Sequence, residues 1–149
     1  MEIIKANPAE YKVLTDITKQ SKAYWGYSNE QIESWSDSLT ITKDYIENHE
    51  VYQIIVNNSI IGYYSYFIEE NNHATLDNLF ISPQYIGKGY GKILMNDFLD
   101  KMKESNIKTI ILEADPNAEK FYESFNFIKT GQIETSIKDR FLPIMELKL

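Results

Sequence analysis

Hydrophobic positions along this chain follow three successive rhythms. The first is helical. After a short apolar stretch, EIIKA at 2–6, that reads as a strand, Pro8 opens a segment with Tyr11, Leu14 and Ile17 on one face. WGY at 25–27 interrupts it, and Ser28 followed by Gln31 has the spacing of a capping box. Ile32, Trp35 and Leu39 then recur at helical intervals, and a further helical turn is expected near Thr42 to Asn48. From Val51 the rhythm changes. VYQIIVN, SIIGYYSYFIEE and HATLDNLFIS are rich in β-branched and aromatic residues, and Asn pairs at 57–58 and 71–72 separate them, which predicts an antiparallel meander. The third part alternates helix and strand. Leu94, Met95, Phe98, Leu99 and Met102 trace a helical stripe running to about Ser105, and KTIILEA at 108–114 reads as a strand buried on both faces. Strand, helix and strand in succession imply a right-handed crossover that sets this strand parallel to the last strand of the meander. Asp115 and Pro116 start another helix with Ala118, Phe121, Tyr122 and Phe125 on one face, Asn126 is its left-handed stop, and the tail supplies two more strands around a polar bend. The fold class is α/β, in one domain spanning 1–149.

Within this pattern one stretch is costly. SPQYIGKGYGKILM, residues 82–95, carries Gly87, Gly89 and Gly91 where a strand ends and a helix begins, and each glycine in a helical turn costs about 1 kcal/mol against alanine. A close helix–strand approach would need one glycine, not three. The phosphate-loop pattern G-x-x-x-x-G-K-[ST] fails because Ile86 and Ile93 stand where glycine and a hydroxyl are required. The dinucleotide pattern G-x-G-x-x-G from Gly87 fails at Lys92. Helix-start amides without partners within the helix, freed of side chains, suit a pyrophosphate, with Lys88 and Lys92 beside them.

Composition narrows the chemistry. Without cysteine the chain has neither a disulfide, a thiolate metal site nor a thiol nucleophile, and its two histidines lack the clustered partners of a metal centre. The net charge of −7 opposes a nucleic-acid surface and steers cationic small molecules inward. No stretch approaches the roughly 20 apolar residues of a membrane span and no signal peptide is apparent, so a cytoplasmic protein is expected.

Gln84-Tyr85-Ile86-Gly87-Lys88-Gly89 after LFISP resembles the Q/R-x-x-G-x-G/A signature of the GNAT superfamily of acetyl-CoA-dependent N-acetyltransferases. PNAEKFYESFNF at 116–127 resembles that family's second cofactor segment, with Asn126 where glycine is usual. The resemblance implies a mixed, mostly antiparallel sheet with helices on both faces, splayed between two parallel strands. Acetyl-CoA would be the cosubstrate, its pantetheine bonding main chain at Leu79, Phe80 and Ile81. Its diphosphate would rest near Gln84 and on the amides of Ile86, Gly87, Lys88, Gly89, Tyr90, Gly91 and Lys92, and Asn117 would bond a pantetheine amide. Tyr122 would assist the departing thiolate, and Asp77, or else Glu113, would take the amine proton. Tyr24, Trp25 and Tyr27, with Glu30 and the meander tyrosines Tyr64 and Tyr66 near them, would receive an acceptor amine, a small molecule or a peptide. His73 reads as turn surface. No nucleic-acid or membrane partner is expected, and the β-rich tail could pair across a homodimer. The competing reading is a domain that holds acyl-CoA and transfers nothing.

Overall fold

The computed structural model describes all residues, Met1–Leu149. Its helices are α1 (Tyr11–Tyr24), α2 (Asn29–Ser34), α3 (Ser36–Leu39), α4 (Lys43–Asn48), α5 (Tyr90–Glu104) and α6 (Glu119–Glu123). Its strands are β1 (Glu2–Lys5), β2 (Glu50–Val56), β3 (Ser59–Glu69), β4 (His73–Ile81), β5 (Thr109–Glu113), β6 (Ile128–Glu134) and β7 (Phe141–Lys148). They form one seven-stranded sheet in the order β1-β2-β3-β4-β5-β7-β6. β4 and β5 run parallel, whereas β1–β2, β2–β3, β5–β7 and β6–β7 are antiparallel. The parallel register covers His73–Thr75 against Thr109–Ile111 and ends there.

By packing, the chain forms two compact units. The first comprises Met1–Tyr66 and Asn78–Leu99. In it, successive residues of β3 point to opposite sides, as a pleated strand requires. Tyr63 bonds Thr18 of α1 and Ser65 bonds Tyr45 of α4, while Tyr64 and Tyr66 meet Asp97 and Phe98 of α5. Helices therefore cover both faces. Leu14, Ile17, Ile41, Ile46, Val51 and Tyr63 make the core beneath α1 and α4. The capping box at Ser28 is complete, with Gln31 N–H on Ser28 Oγ and Ser28 N–H on Gln31 Oε1. The expected second helix is broken, however: Trp35 ends α2 and leads into α3, so Ile32 and Leu39 are buried from two short helices.

The second unit comprises Phe67–Asp77 and Asp100–Leu149. Asn71, Asn72 and Asn126 all adopt the left-handed conformation at the turns where their short polar side chains are tolerated. β5 departs from expectation. Ile110 and Leu112 are buried but Thr109 and Ile111 are half-buried and Glu113 is exposed, so one face is closed and the other is partly open. The predicted helix after Asp115 is likewise shorter, a 3-10 turn at Pro116–Ala118 followed by α6.

Gly62 is fixed by crowding. A Cβ there would lie 2.6 Å from Ile81 Cδ1 and 2.7 Å from the Phe80 carbonyl oxygen, and the latter is backbone that cannot rotate away. Gly62→Ala is expected to cost about 1–3 kcal/mol, or roughly 3–10 °C of thermal midpoint for a chain of this size. A melting curve superimposable on that of the parent would refute this packing.

Candidate active site

The turn from β4 into α5 spends its backbone hydrogen bonds in an orderly way. Ser82 N–H donates to Ile61 O at 2.7 Å, Tyr85 N–H to Ser82 O at 2.9 Å and Ile86 N–H to Pro83 O at 3.3 Å. The helical ladder begins only at Ile93, whose N–H reaches Gly89 O at 3.2 Å. Helix geometry leaves Tyr90, Gly91 and Lys92 without acceptors in their own helix. Gly87 and Gly89, at φ of 82° and 89°, turn the preceding amides through a left-handed path open only to glycine at low cost. An added Cβ at either would meet nothing within 4 Å, so the surface above the loop is bare. Such a run of amides at the positive end of a 15-residue helix makes an anion-binding nest. It fits a diphosphate. Tyr85 and Tyr90 meet edge-on at 5.8 Å, and Lys88 Nζ lies 5.5 Å from the Tyr85 ring, which holds a cation at the loop. One expected donor is spent: the Ile86 amide serves the Pro83 turn. Gln84 is exposed, and its Oε1 accepts from Ser82 Oγ at 3.3 Å.

Upstream, Leu79 and Phe80 are half-buried and Ile81 is buried, with its carbonyl already accepting from Ser21 Oγ of α1 at 2.6 Å. That bond ties the end of α1 to the end of β4. Tyr24 and Trp25, packed edge-on at 5.2 Å, follow directly at the α1 terminus and are 52% and 43% exposed. Tyr27 meets Trp35 at 5.0 Å. This aromatic segment thus leaves α1 on the face of the sheet that α1 covers. Asp77 is exposed, and by strand alternation it points to the opposite face from Leu76, Asn78 and Phe80.

Tyr64 and Tyr66 do not join that segment. They lie on the α5 side, 0% and 6% exposed, stacked with Tyr52 and against Phe98, with Tyr64 Oη donating to Asp97 Oδ2 at 2.6 Å. The period of two along β3 put neighbouring tyrosines on different faces, and the sequence offered no sign of which face α1 or α5 would cover.

In the second unit, Tyr122 is buried, with edge contacts to Phe121 at 5.3 Å and Phe127 at 5.9 Å. Burial first, and the Asp115 charge second, raise its hydroxyl pKa above the ordinary phenol value. Asp115 is a hub. Its Oδ1 accepts from the Asn117 N–H and from Asn117 Nδ2, both at 2.9 Å, and its Oδ2 accepts from Arg140 Nη2 at 3.1 Å. Asn117, expected to face a ligand, is therefore anchored first within the protein and presents an oriented amide. Arg140 escaped sequence reading, because it sits in a polar hairpin bend 25 residues from its partner and no local period marks it. Glu113 is exposed and His73 half-buried. No group of histidine, cysteine and carboxylate residues could hold a metal.

The model of the acetyltransferase (GNAT) family matches residues 15–127. The chain belongs to the GNAT family. It is 34% identical over 93 residues, 61% of its length and 60% of the relative's, to the [ribosomal protein bS18]-alanine N-acetyltransferase of Haemophilus influenzae. It is 29% identical over 73 residues to the uncharacterized N-acetyltransferase ycf52 of Pyropia yezoensis, covering 49% of this chain and 42% of that one. In both cases the match spans less than two thirds of the relative. The GNAT fold extends along the whole chain: the PaiA N-acetyltransferase of Thermoplasma acidophilum, crystallised with coenzyme A, superposes with a TM-score of 0.79 at 24% identity, covering 99% of this chain and 98% of that one.

Two outcomes test this geometry. Arg140→Ala strands a carboxylate whose side chain is only 10% exposed, so a loss of about 3 kcal/mol is expected, with partial recovery in Arg140→Lys; equal melting points for all three proteins would refute the pairing. Separately, burial, followed by the charges of Tyr52, Glu50 and Asp97, pushes the Tyr66 hydroxyl up to about 12. Its folded value exceeds the unfolded one of about 10, so its contribution to stability is whole below pH 10 and is lost as pH climbs from 10 through 12. Denaturant midpoints should fall between pH 10 and 12, and a flat profile over that window would contradict the burial of the tyrosine stack.

Proposed function

We propose that this GNAT protein transfers an acetyl group from acetyl-CoA to the primary amine of a small molecule or peptide. The observation that carries the reading is the amide nest ahead of α5, whose glycines leave bare backbone where a diphosphate would lie. Gly87, Lys88, Gly89, Tyr90, Gly91 and Lys92 hold the diphosphate, main chain at Leu79 to Ile81 holds pantetheine, and Asn117 bonds a pantetheine amide. Bound acetyl-CoA supplies a thioester carbonyl, activated toward an uncharged amine. The amine nitrogen bonds to that carbon, the carbon–sulfur bond breaks, and the amine passes a proton to solvent water, from which Asp77, exposed on the other face of β4, takes it.

Tyr122 acts on the departing sulfur as a hydrogen-bond donor. In water a phenol near 10 giving its proton to a thiolate near 8.5 is uphill by about 2 kcal/mol, and burial raises the phenol further. Donation without transfer suffices, because the bond strengthens as charge gathers on sulfur. The acceptor class draws support from the exposed Tyr24 and Trp25, from the net charge of −7, which favours cationic amines, and from the bS18-alanine acetyltransferase of Haemophilus influenzae, whose name specifies a protein alanine.

The test is CoA thiol release with acetyl-CoA and a panel holding a polyamine, an amino sugar and an alanine-initiated peptide. Turnover of at least one amine is expected, and acetyl-CoA should raise the melting point by mass action. Tyr122→Phe should lower kcat by about 10- to 1,000-fold while the acetyl-CoA dissociation constant stays within about twofold. Stabilisation by acetyl-CoA with no thiol release from any amine would favour a non-catalytic acyl-CoA-binding module.

A further inference from the structure

Ser65, Tyr45 and Asn78 form a closed triangle of polar atoms in the first unit. Asn78 Nδ2 lies 2.9 Å from Ser65 Oγ and 3.2 Å from Tyr45 Oη, and the two hydroxyl oxygens lie 2.8 Å apart. Three edges need three hydrogens. With the amide nitrogen facing the pair, its two N–H groups supply two edges and one hydroxyl supplies the third. Turned over, the amide oxygen would draw both hydroxyl hydrogens to itself and leave two bare oxygens facing each other at 2.8 Å. Hydrogen accounting therefore fixes the amide, and Ser65, fully buried, holds it from below.

The consequence lies on the other side of the amide. Asn78 Oδ1 accepts no bond from the protein. It is also not sealed in, since Gln53 Oε1 is the buried side-chain polar atom that lacks a partner. A rigid carbonyl is thus presented to solvent from the middle of β4, one residue before the Leu79–Ile81 main chain. It is on the face covered by α1, the helix that ends in Tyr24 and Trp25 and is tied to Ile81 by Ser21.

We propose that Asn78 Oδ1 binds an N–H of the acceptor amine and aims its lone pair at the thioester. This rests on the proposed acetyl transfer and deepens it. The chemistry favours an amide over a carboxylate at this point. A carboxylate would hold the ammonium form by charge and raise the amine's pKa, whereas a neutral carbonyl accepts the hydrogen bond without trapping the proton. Asp77, on the opposite face, cannot make this contact from its own position in the strand.

The experiment compares wild type, Asn78→Ala, Asn78→Asp and Tyr45→Phe by thiol release, using the polyamine and the alanine-initiated peptide over a range of pH. Asn78→Ala should raise the acceptor KM about three- to tenfold, the worth of one neutral hydrogen bond, with the acetyl-CoA KM unchanged. Tyr45→Phe, which removes one of the two anchors, should raise the acceptor KM less. Asn78→Asp should move the rising limb of kcat, which reports groups in the bound complex, to higher pH by about one unit, a change that a merely structural role for the triangle would not produce. The inference is overturned if the acceptor KM is unmoved, if both KM values rise together with a fall in melting point, or if Asn78→Asp leaves the pH limb in place. Should Asn78→Ala fail to fold, Tyr45→Phe and Asn78→Asp decide the matter. A wild type that turns over no amine overturns the proposed function and this inference together, whereas turnover indifferent to residue 78 overturns only the latter.

Discussion

The corner between β4 and α5 is governed by the need of every backbone amide for an acceptor. Ile61 takes the amide of Ser82, and the 3-10 turn at Pro83–Tyr85 takes those of Tyr85 and Ile86. From Gly87 the chain turns left-handed, and the ladder resumes only at Ile93. Buried amides in that interval would be a defect. On the surface, at the head of a four-turn helix, they become a site with a fixed sign of charge preference on a protein whose net charge of −7 would otherwise repel an anion. Local dipoles and Lys88 act within a few ångströms, where the remaining charges are screened.

The elements around that corner are held by a few specific contacts rather than by generic packing. Gly62 leaves room for the Phe80 carbonyl and the Ile81 side chain, and Ser21 bonds the Ile81 carbonyl, so β3, β4 and α1 share one point of close approach. In the second unit Arg140 and Asp115 play the corresponding role. The ion pair is shielded from solvent, and the second oxygen of the carboxylate caps the turn that carries Asn117. A charged hub of this kind costs desolvation that only a complete set of hydrogen bonds repays, which explains why both oxygens of Asp115 are engaged.

β3 shows how one strand serves two purposes. Its residues 61–66 are all buried, but by different neighbours: Tyr63 and Ser65 meet α1 and α4, and Tyr64 and Tyr66 meet α5. The first pair builds a core and a polar triangle; the second joins an aromatic stack in which burial raises the hydroxyl pKa of Tyr64 and of Tyr66. Tyrosine suits both because its ring packs like phenylalanine while its oxygen still demands a partner.

Local physics made most elements legible from the sequence alone. Helical stripes, the capping box at Ser28, the Asn pairs of the meander, the left-handed Asn126 and the three glycines around the start of α5 are all decided by residues within a few positions of one another, where sterics and peptide hydrogen bonds act. What escaped depends on partners distant in the chain. The break at Trp35, the half-open face of β5, the burial of Tyr64 and Tyr66, the Arg140–Asp115 pair and the orientation of the Asn78 amide follow from which surfaces meet, and a period along one element carries no record of the element opposite it. Bare amides at the head of α5 follow from glycines close together in the chain; which side chains meet across the fold does not, because contact across tens of residues is set by packing and not by local propensity.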